Sequence, residues 1–223
     1  MFRDRSEAGQ LLATKLASYA GRTDTVVLGL PRGGVPVAFE IAQELHLPLD
    51  ILLVRKLGVP GQSELAMGAI GPGGIRVVDH VMIRQLGITE EEIAATIREE
   101  EEELQRRERF YRNYRPPVAI RGLNVIVVDD GIATGSSMLA AIQVLRSQQP
   151  AKIIVAVPVA PPHARSEIEA LAQEFVCLRV SEYFPAVGSF YRDFSQVDDQ
   201  EVCRLLTDSA QFLAKRGMEP SSL

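Results

Sequence analysis

Asn124-Val125-Ile126-Val127-Val128-Asp129-Asp130-Gly131-Ile132-Ala133-Thr134-Gly135-Ser136-Ser137-Met138 reads as a strand, a turn and the first residues of a helix. The opening run is apolar without alternation, the pattern of a strand buried on both faces in a parallel sheet covered by helices. Two carboxylates end it, and a turn rich in glycine and hydroxyls follows. In open α/β sheets, ligands collect at the carboxyl ends of the strands. Glycine lets the backbone approach a ligand closely. The N–H groups at a helix N-terminus, with the hydroxyls of Thr134, Ser136 and Ser137, make a cradle for a phosphate. Such a helix end contributes up to about 1 to 2 kcal/mol towards a bound negative charge. Two acids beside it would repel a purely anionic ligand, but they suit one that also offers hydroxyls or shares a divalent cation. A sugar phosphate satisfies both halves.

Outward from this stretch, strand-like apolar runs occupy residues 25–30, 50–55 and 152–158, with shorter ones at 75–78 and 175–180. Helical patterns fall at 6–20, 34–46, 136–148, 163–174 and 199–216. Gly21 and Gly217 follow two of them as C-caps, and Pro36 sits in a first turn, where its missing N–H costs nothing. The alternation predicts an α/β fold with an open, mainly parallel sheet flanked by helices, in a single domain over residues 1–223. Residues 89–115 break the alternation. They are charge-rich, free of Gly and Pro, opened by a Thr89–Glu92 capping box and stopped by Pro116-Pro117. Acids fill the first half and arginines the second, which complements the helix dipole, and Glu102–Arg106 and Glu103–Arg107 are spaced as i,i+4 pairs. A helix of this length runs about 40 Å. Its thin apolar seam (Ile93, Ile97, Leu104, Tyr111, Tyr114) suits a solvated helix along the domain or a contact arm for a dimer.

With 223 residues, 46% of them hydrophobic, the chain can bury one substantial core or two small ones. Its apolar runs are far shorter than the roughly 20 residues a membrane helix needs. The start Met1-Phe2-Arg3-Asp4-Arg5 does not resemble a secretory signal, so a cytoplasmic location is expected. A net charge of −5 argues against broad nucleic-acid binding and leaves room for a local cationic pocket. Cys177 and Cys203 lack metal-ligand or disulfide-framework spacing and read as buried packing. His46, His80 and His163 are scattered and read as structural or exposed.

The segment Val127-Val128-Asp129-Asp130-Gly131-Ile132-Ala133-Thr134-Gly135-Ser136-Ser137-Met138 resembles the 5-phosphoribosyl 1-pyrophosphate (PRPP) motif of type I phosphoribosyltransferases. The likeness extends over roughly residues 3–206. It implies that Asp129 and Asp130 bind the ribose hydroxyls, directly or through Mg²⁺, and that residues 131–137 (Gly131, Ala133, Thr134, Gly135, Ser136, Ser137) wrap the 5-phosphate. It also implies that Arg32-Gly33-Gly34 forms the pyrophosphate loop. Residues 54–68, beginning Val54-Arg55-Lys56, resemble the family's flexible catalytic loop, which would close over PRPP, exclude water and bring Arg55 or Lys56 to the leaving pyrophosphate. Residues 181–198 resemble its hood, in which Tyr183, Phe184, Phe190 and Tyr191 could stack on a flat base or plug the open end of the core. The N-terminal Arg3-Asp4-Arg5 is a second hood candidate.

The family's 6-oxopurine branch carries an Asp where this chain has Ala133; adenine-type members have Ala. That departure counts against hypoxanthine or guanine by the usual route, and Glu64 becomes the candidate general base. The resemblance therefore implies a Mg²⁺-dependent transfer of the phosphoribosyl group from PRPP to a nitrogenous base, a purine-type acceptor being favoured, by a homodimer that binds neither nucleic acid nor membrane. The alternatives are a non-catalytic PRPP-binding regulatory protein, and transfer or hydrolysis on another ribose phosphate.

Overall fold

The computed structural model describes residues 1–112 and 116–215, without the side chains of Ser63 and Glu64. The expected cap Gly217 and seam residue Tyr114 lie outside the described residues. The chain forms two compact units, one of residues 1–52, 118–135 and 149–223, the other of residues 53–117 and 136–148.

The first unit is the expected α/β sheet. Its helices are α1 (Arg5–Lys15), α2 (Gly34–Leu45), α6 (Pro162–Glu169) and α7 (Asp199–Ala214), and its strands are β1 (Thr25–Gly29), β2 (Leu49–Ile51), β6 (Asn124–Val128), β7 (Lys152–Ala160) and β8 (Glu174–Val180). All neighbours run parallel in the order β2-β1-β6-β7-β8. Register aligns Leu49, Val27, Ile126 and Ile154 across four strands. Leu12 of α1, Leu16 at its C-cap, and Ile41 and Leu45 of α2 close over that row in one core cluster. Every residue of β1 is buried, and only the first residues of β6 and β7 are less than buried, as continuous apolar runs require.

The second unit contains the antiparallel sheet β3 (Arg55–Val59), β4 (Gln62–Gly71) and β5 (Ile75–Val78), with helices α3 (His80–Leu86), α4 (Glu90–Arg112) and α5 (Ser136–Ser147). Residues 54–68, expected as a flexible catalytic loop, take the form of a β3–β4 hairpin from Arg55 onward. Pro60-Gly61 makes the turn, with Gly61 at φ +76, a conformation glycine takes without strain. Leu57, Met67, Ala69 and Ile70 are fully buried. Ala69 packs with Ala140 and Val144 of α5.

Other boundaries differ from the sequence reading. The helix expected over 6–20 stops at Lys15, with Leu16 rather than Gly21 as its C-cap, and a separate 3-10 turn follows at Ala17–Tyr19. The strand expected over 50–55 divides, β2 ending at Ile51 and Arg55 opening β3 in the other unit. The helix expected over 163–174 stops at Glu169, since Glu174 pairs with Ile154 as the first residue of β8. Helix α3, not anticipated, is capped by Asp79, which accepts from the N–H groups of Val81 and Met82, and ends on Gly87 at φ +65. The Thr89–Glu92 capping box forms as expected: the Thr89 N–H donates to Glu92 at 2.9 Å and the Glu92 N–H to the Thr89 hydroxyl at 3.2 Å. Glu103 takes both Arg106 and Arg107, and Ile97, Leu104 and Tyr111 of the seam are buried. The described residues include no helix long and apolar enough to cross a membrane. Neither Cys177 nor Cys203 forms a disulfide, and both are only partly buried; burial pushes the Cys177 thiol up to about 11, the mark of an unreactive packing cysteine. His46 caps α2 with left-handed backbone and its ring faces Phe212, while His80 and His163 are exposed.

Ile126 has no exposed surface and lies in the middle of the row described above. Ile126→Ala is expected to lower stability by about 3 kcal/mol, read as a lower urea midpoint with an unchanged slope; a loss under about 1 kcal/mol would contradict this placement.

Candidate active site

Where β6 ends, two acids meet backbone from another loop. The Leu30 N–H donates to the Val128 carbonyl at 2.9 Å, which carries residues 30–34 across the carboxyl end of the strand. A Cβ on Gly34 would lie 2.6 Å from the Val128 oxygen and 2.9 Å from Asp129 Cα, and one on Gly33 would overlap the Asp130 carboxylate. No residue but glycine fits at either position while the acids stay in place. The Pro31–Arg32 peptide bond in this turn is cis. Arg32 is partly exposed, 3.9 Å from Asp199 of α7.

Asp129 and Asp130 are both half-buried. Asp129 accepts the Asp130 N–H at 2.9 Å. Burial, and then the charge of Asp130, push the Asp129 carboxyl well above the ordinary carboxylate range. Asp130 is raised too, again chiefly by burial, against the pull of Arg5. Both directions describe an acid pair short of positive charge.

Arg5, weighed from sequence only as part of a hood, supplies what cation there is. Its Nε and Nη2 each lie 2.8 Å from Asp130 Oδ2. The two side chains are 11% and 14% exposed, so the pair is largely desolvated. Removing one partner of such a pair costs about 3 to 5 kcal/mol, against roughly 0 to 1 for an exposed pair. No local pattern announces this contact, which joins residues 125 apart in the chain.

The aromatic segment is mainly structural. Phe190 and Tyr191 are buried in a cluster with Ala8 and Val159, against which Phe2, Phe184 and Val187 pack, and the Tyr191 hydroxyl donates to the Asp130 carbonyl at 2.6 Å. Of the two roles open to these rings, stacking on a base or plugging the open end of the core, the burial of Phe190 and Tyr191 suits the second. Tyr183 is 82% exposed. Gly131 is also closely packed, a Cβ there lying 2.5 Å from Val187 Cγ1. Beyond it, Ala133 and Thr134 are exposed and Gly135 is at φ +81 before α5 begins.

In the second unit, Lys56, Asp79, Ser136 and Gln143 line a cavity of ≈ 300 Å³. Ser137, beside Ser136 in the first turn of α5, is exposed. Arg55, expected at a leaving group, is instead paired with Glu100 of α4. Glu64 lies in β4, its side chain outside the described part of the molecule.

Among the described residues, no three His, Cys, Asp or Glu side chains gather as a metal cage. Magnesium, however, is commonly held by one or two carboxylates together with substrate phosphates. The cation-poor Asp129–Asp130 pair fits that use.

A carboxyl raised in the folded state favours stability below its unfolded value, near 3.8, and that contribution is lost as pH rises through the folded value. Asp129→Asn is therefore expected to raise the ligand-free unfolding midpoint at neutral pH, with the gain vanishing in acid. Thermal unfolding across pH measures this, and a variant less stable than its parent at neutral pH would contradict it.

A crystal structure from Thermus thermophilus superposes with a TM-score of 0.86 at 44% identity, covering 93% of this chain and 98% of that one. An Aquifex aeolicus structure at 12% identity shares the fold, with a TM-score of 0.51 over 82% of this chain and 78% of that one. Curated relatives from two strains of Mycobacterium tuberculosis, provisionally named phosphoribosyl transferases, are 45% identical over 97% of this chain. The chain spans about half the length of those relatives, 49%. The family model described as the phosphoribosyl transferase domain matches residues 5–194, from the Arg5 that grips the acid pair to the Phe194 on which Arg5 rests, and the chain belongs to that family.

Proposed function

We propose that this chain transfers the 5-phosphoribosyl group of PRPP to a nitrogenous base, purine-type by preference, with release of pyrophosphate. The observation that carries this reading is the clamp of Gly33 and Gly34 against Asp129 and Asp130, which leaves room for backbone alone. A backbone loop beside two acids suits a ligand whose one end is a ribose and whose other is a pyrophosphate. The acids accept the ribose hydroxyls and set negative charge near C1, where positive charge grows as the bond to pyrophosphate stretches. The backbone N–H groups of Arg32 and Gly33 and the Arg32 guanidinium receive the departing pyrophosphate, while the Gly34 N–H holds the turn by donating to the Leu30 carbonyl. Thr134, Ser136 and Ser137 hold the 5-phosphate. The incoming nitrogen attacks C1 from the opposite face, so no residue has to form a covalent bond. Asp129 and Asp130 would hold a magnesium ion, which would supply positive charge towards the leaving group. Lys56 brings a further cation from the hairpin, and Glu64 is the candidate to take the base's proton. Ala133, in place of the Asp of 6-oxopurine enzymes, leaves adenine or an unrelated base as acceptor.

One observation favours a second reading, a PRPP-binding regulatory protein. Arg55 is engaged by Glu100, and the segment expected to close over substrate is a paired hairpin.

The double variant Asp129→Asn/Asp130→Asn is expected to lose PRPP binding by calorimetry while keeping its circular dichroism; unchanged affinity would remove the site from these acids. Lys56→Ala is expected to lower kcat by about tenfold or more with KM for PRPP within about threefold. A raised KM with normal kcat would assign Lys56 to ground-state binding instead.

A further inference from the structure

Arg5 reaches the acid pair from the N-terminal arm, and its contacts are unusually directional. Nε and Nη2 both reach one oxygen of Asp130, Oδ2, at 2.8 Å. Nη1 donates to the Ser195 carbonyl at 2.8 Å, and the guanidinium carbon lies 3.9 Å from the centre of the Phe194 ring. A planar fork held by an acid, a carbonyl and a ring face has one orientation, which a lysine could not reproduce. The same Oδ2 is the atom that a side chain on Gly33 would meet first. One oxygen of Asp130, Oδ2, is thus held by Arg5 and faces the Gly33 backbone. Beneath it, the Tyr191 hydroxyl holds the Asp130 carbonyl.

The arm that carries Arg5 is itself fixed. Asp4 caps α1 by accepting the Glu7 N–H at 2.8 Å. The Phe2 N–H donates to the Phe190 carbonyl, the Arg192 N–H to the Phe2 carbonyl and the Asp193 N–H to the Arg3 carbonyl, each at 2.8 Å. Segment 190–195 and the arm are therefore joined, and both Arg5 and Tyr191 attach them to Asp130.

We propose that Arg5 is a positioning residue for phosphoribosyl binding: by holding Oδ2 of Asp130 it sets the direction in which Oδ1 meets a ribose hydroxyl or a cation shared with the ligand. The assignment rests on the PRPP reading above. Arg5 does not touch the ligand; it acts through Asp130, and its effect must disappear when that carboxylate is gone.

A double-mutant cycle on PRPP affinity in the presence of Mg²⁺ tests this, with Arg5→Gln, Asp130→Asn and the pair together, each with its unfolding midpoint measured. Arg5→Gln is expected to weaken PRPP binding by about tenfold alone and by less than about twofold when Asp130 is already Asn. Arg5→Lys, which keeps the charge without the fork, is expected to fall between parent and Arg5→Gln, and run in both backgrounds it carries the same cycle should the glutamine variant fail to fold. Effects that multiply would overturn the assignment, as would an Arg5→Gln protein with a lowered midpoint and unchanged affinity. An unaltered protein that binds no PRPP would overturn the proposed function and this assignment with it, whereas tight parental binding with multiplicative effects removes Arg5 alone.

Discussion

Two adjacent carboxyls at the end of a buried strand repel each other and lose hydration together, and the surrounding structure is arranged around that cost. Glycine backbone at positions 33 and 34 presses against them where any side chain would collide. Arg5 answers one acid with a largely desolvated ion pair, and Asp129 keeps a carboxyl raised by burial and by its neighbour's charge. A protein retains such an arrangement where a ligand completes it. Under the proposed function, hydroxyl donors or a cation of a phosphorylated sugar would meet these acids beside the glycine loop.

The fold delivers this geometry through ordinary means. Continuous apolar strands make a parallel sheet that can exist only under helices, and a parallel sheet aligns all its carboxyl ends on one edge. β1 and β6 are neighbours in register, so the turns that follow them, one glycine-rich and one acidic, are side by side. The first residues of the chain are drawn to the same edge by backbone pairing with segment 190–193. The second unit is built differently, from an antiparallel hairpin backed by α5. Arg55, at the base of that hairpin, pairs with Glu100 of α4.

How much of this was legible depended on the range of the interactions. Strands β1, β6 and β7 could be read from short apolar runs, and the capping box of α4 from four residues, because both are local. The acid pair and the glycine turn were legible as chemistry through their likeness to a known motif. The hairpin over residues 55–71 was not, because its glycines and Pro60 look like loop composition and the alternation of Leu57 and Val59 is short. Phe190 and Tyr191 looked available for stacking, since a sequence shows that rings cluster but not which way they face. Arg5 was hidden for the plainest reason: its partner lies 125 residues away and nothing near either residue encodes the contact.

The proposed function takes PRPP as the ligand and displacement of pyrophosphate as the chemistry. The most direct test is pyrophosphate release from PRPP with Mg²⁺, followed across purines, pyrimidines and small nitrogenous bases. The account predicts release stimulated by one base, adenine-like more readily than hypoxanthine or guanine. Tight PRPP binding with no stimulation by any of them would contradict a transferase and favour a regulatory PRPP-binding protein.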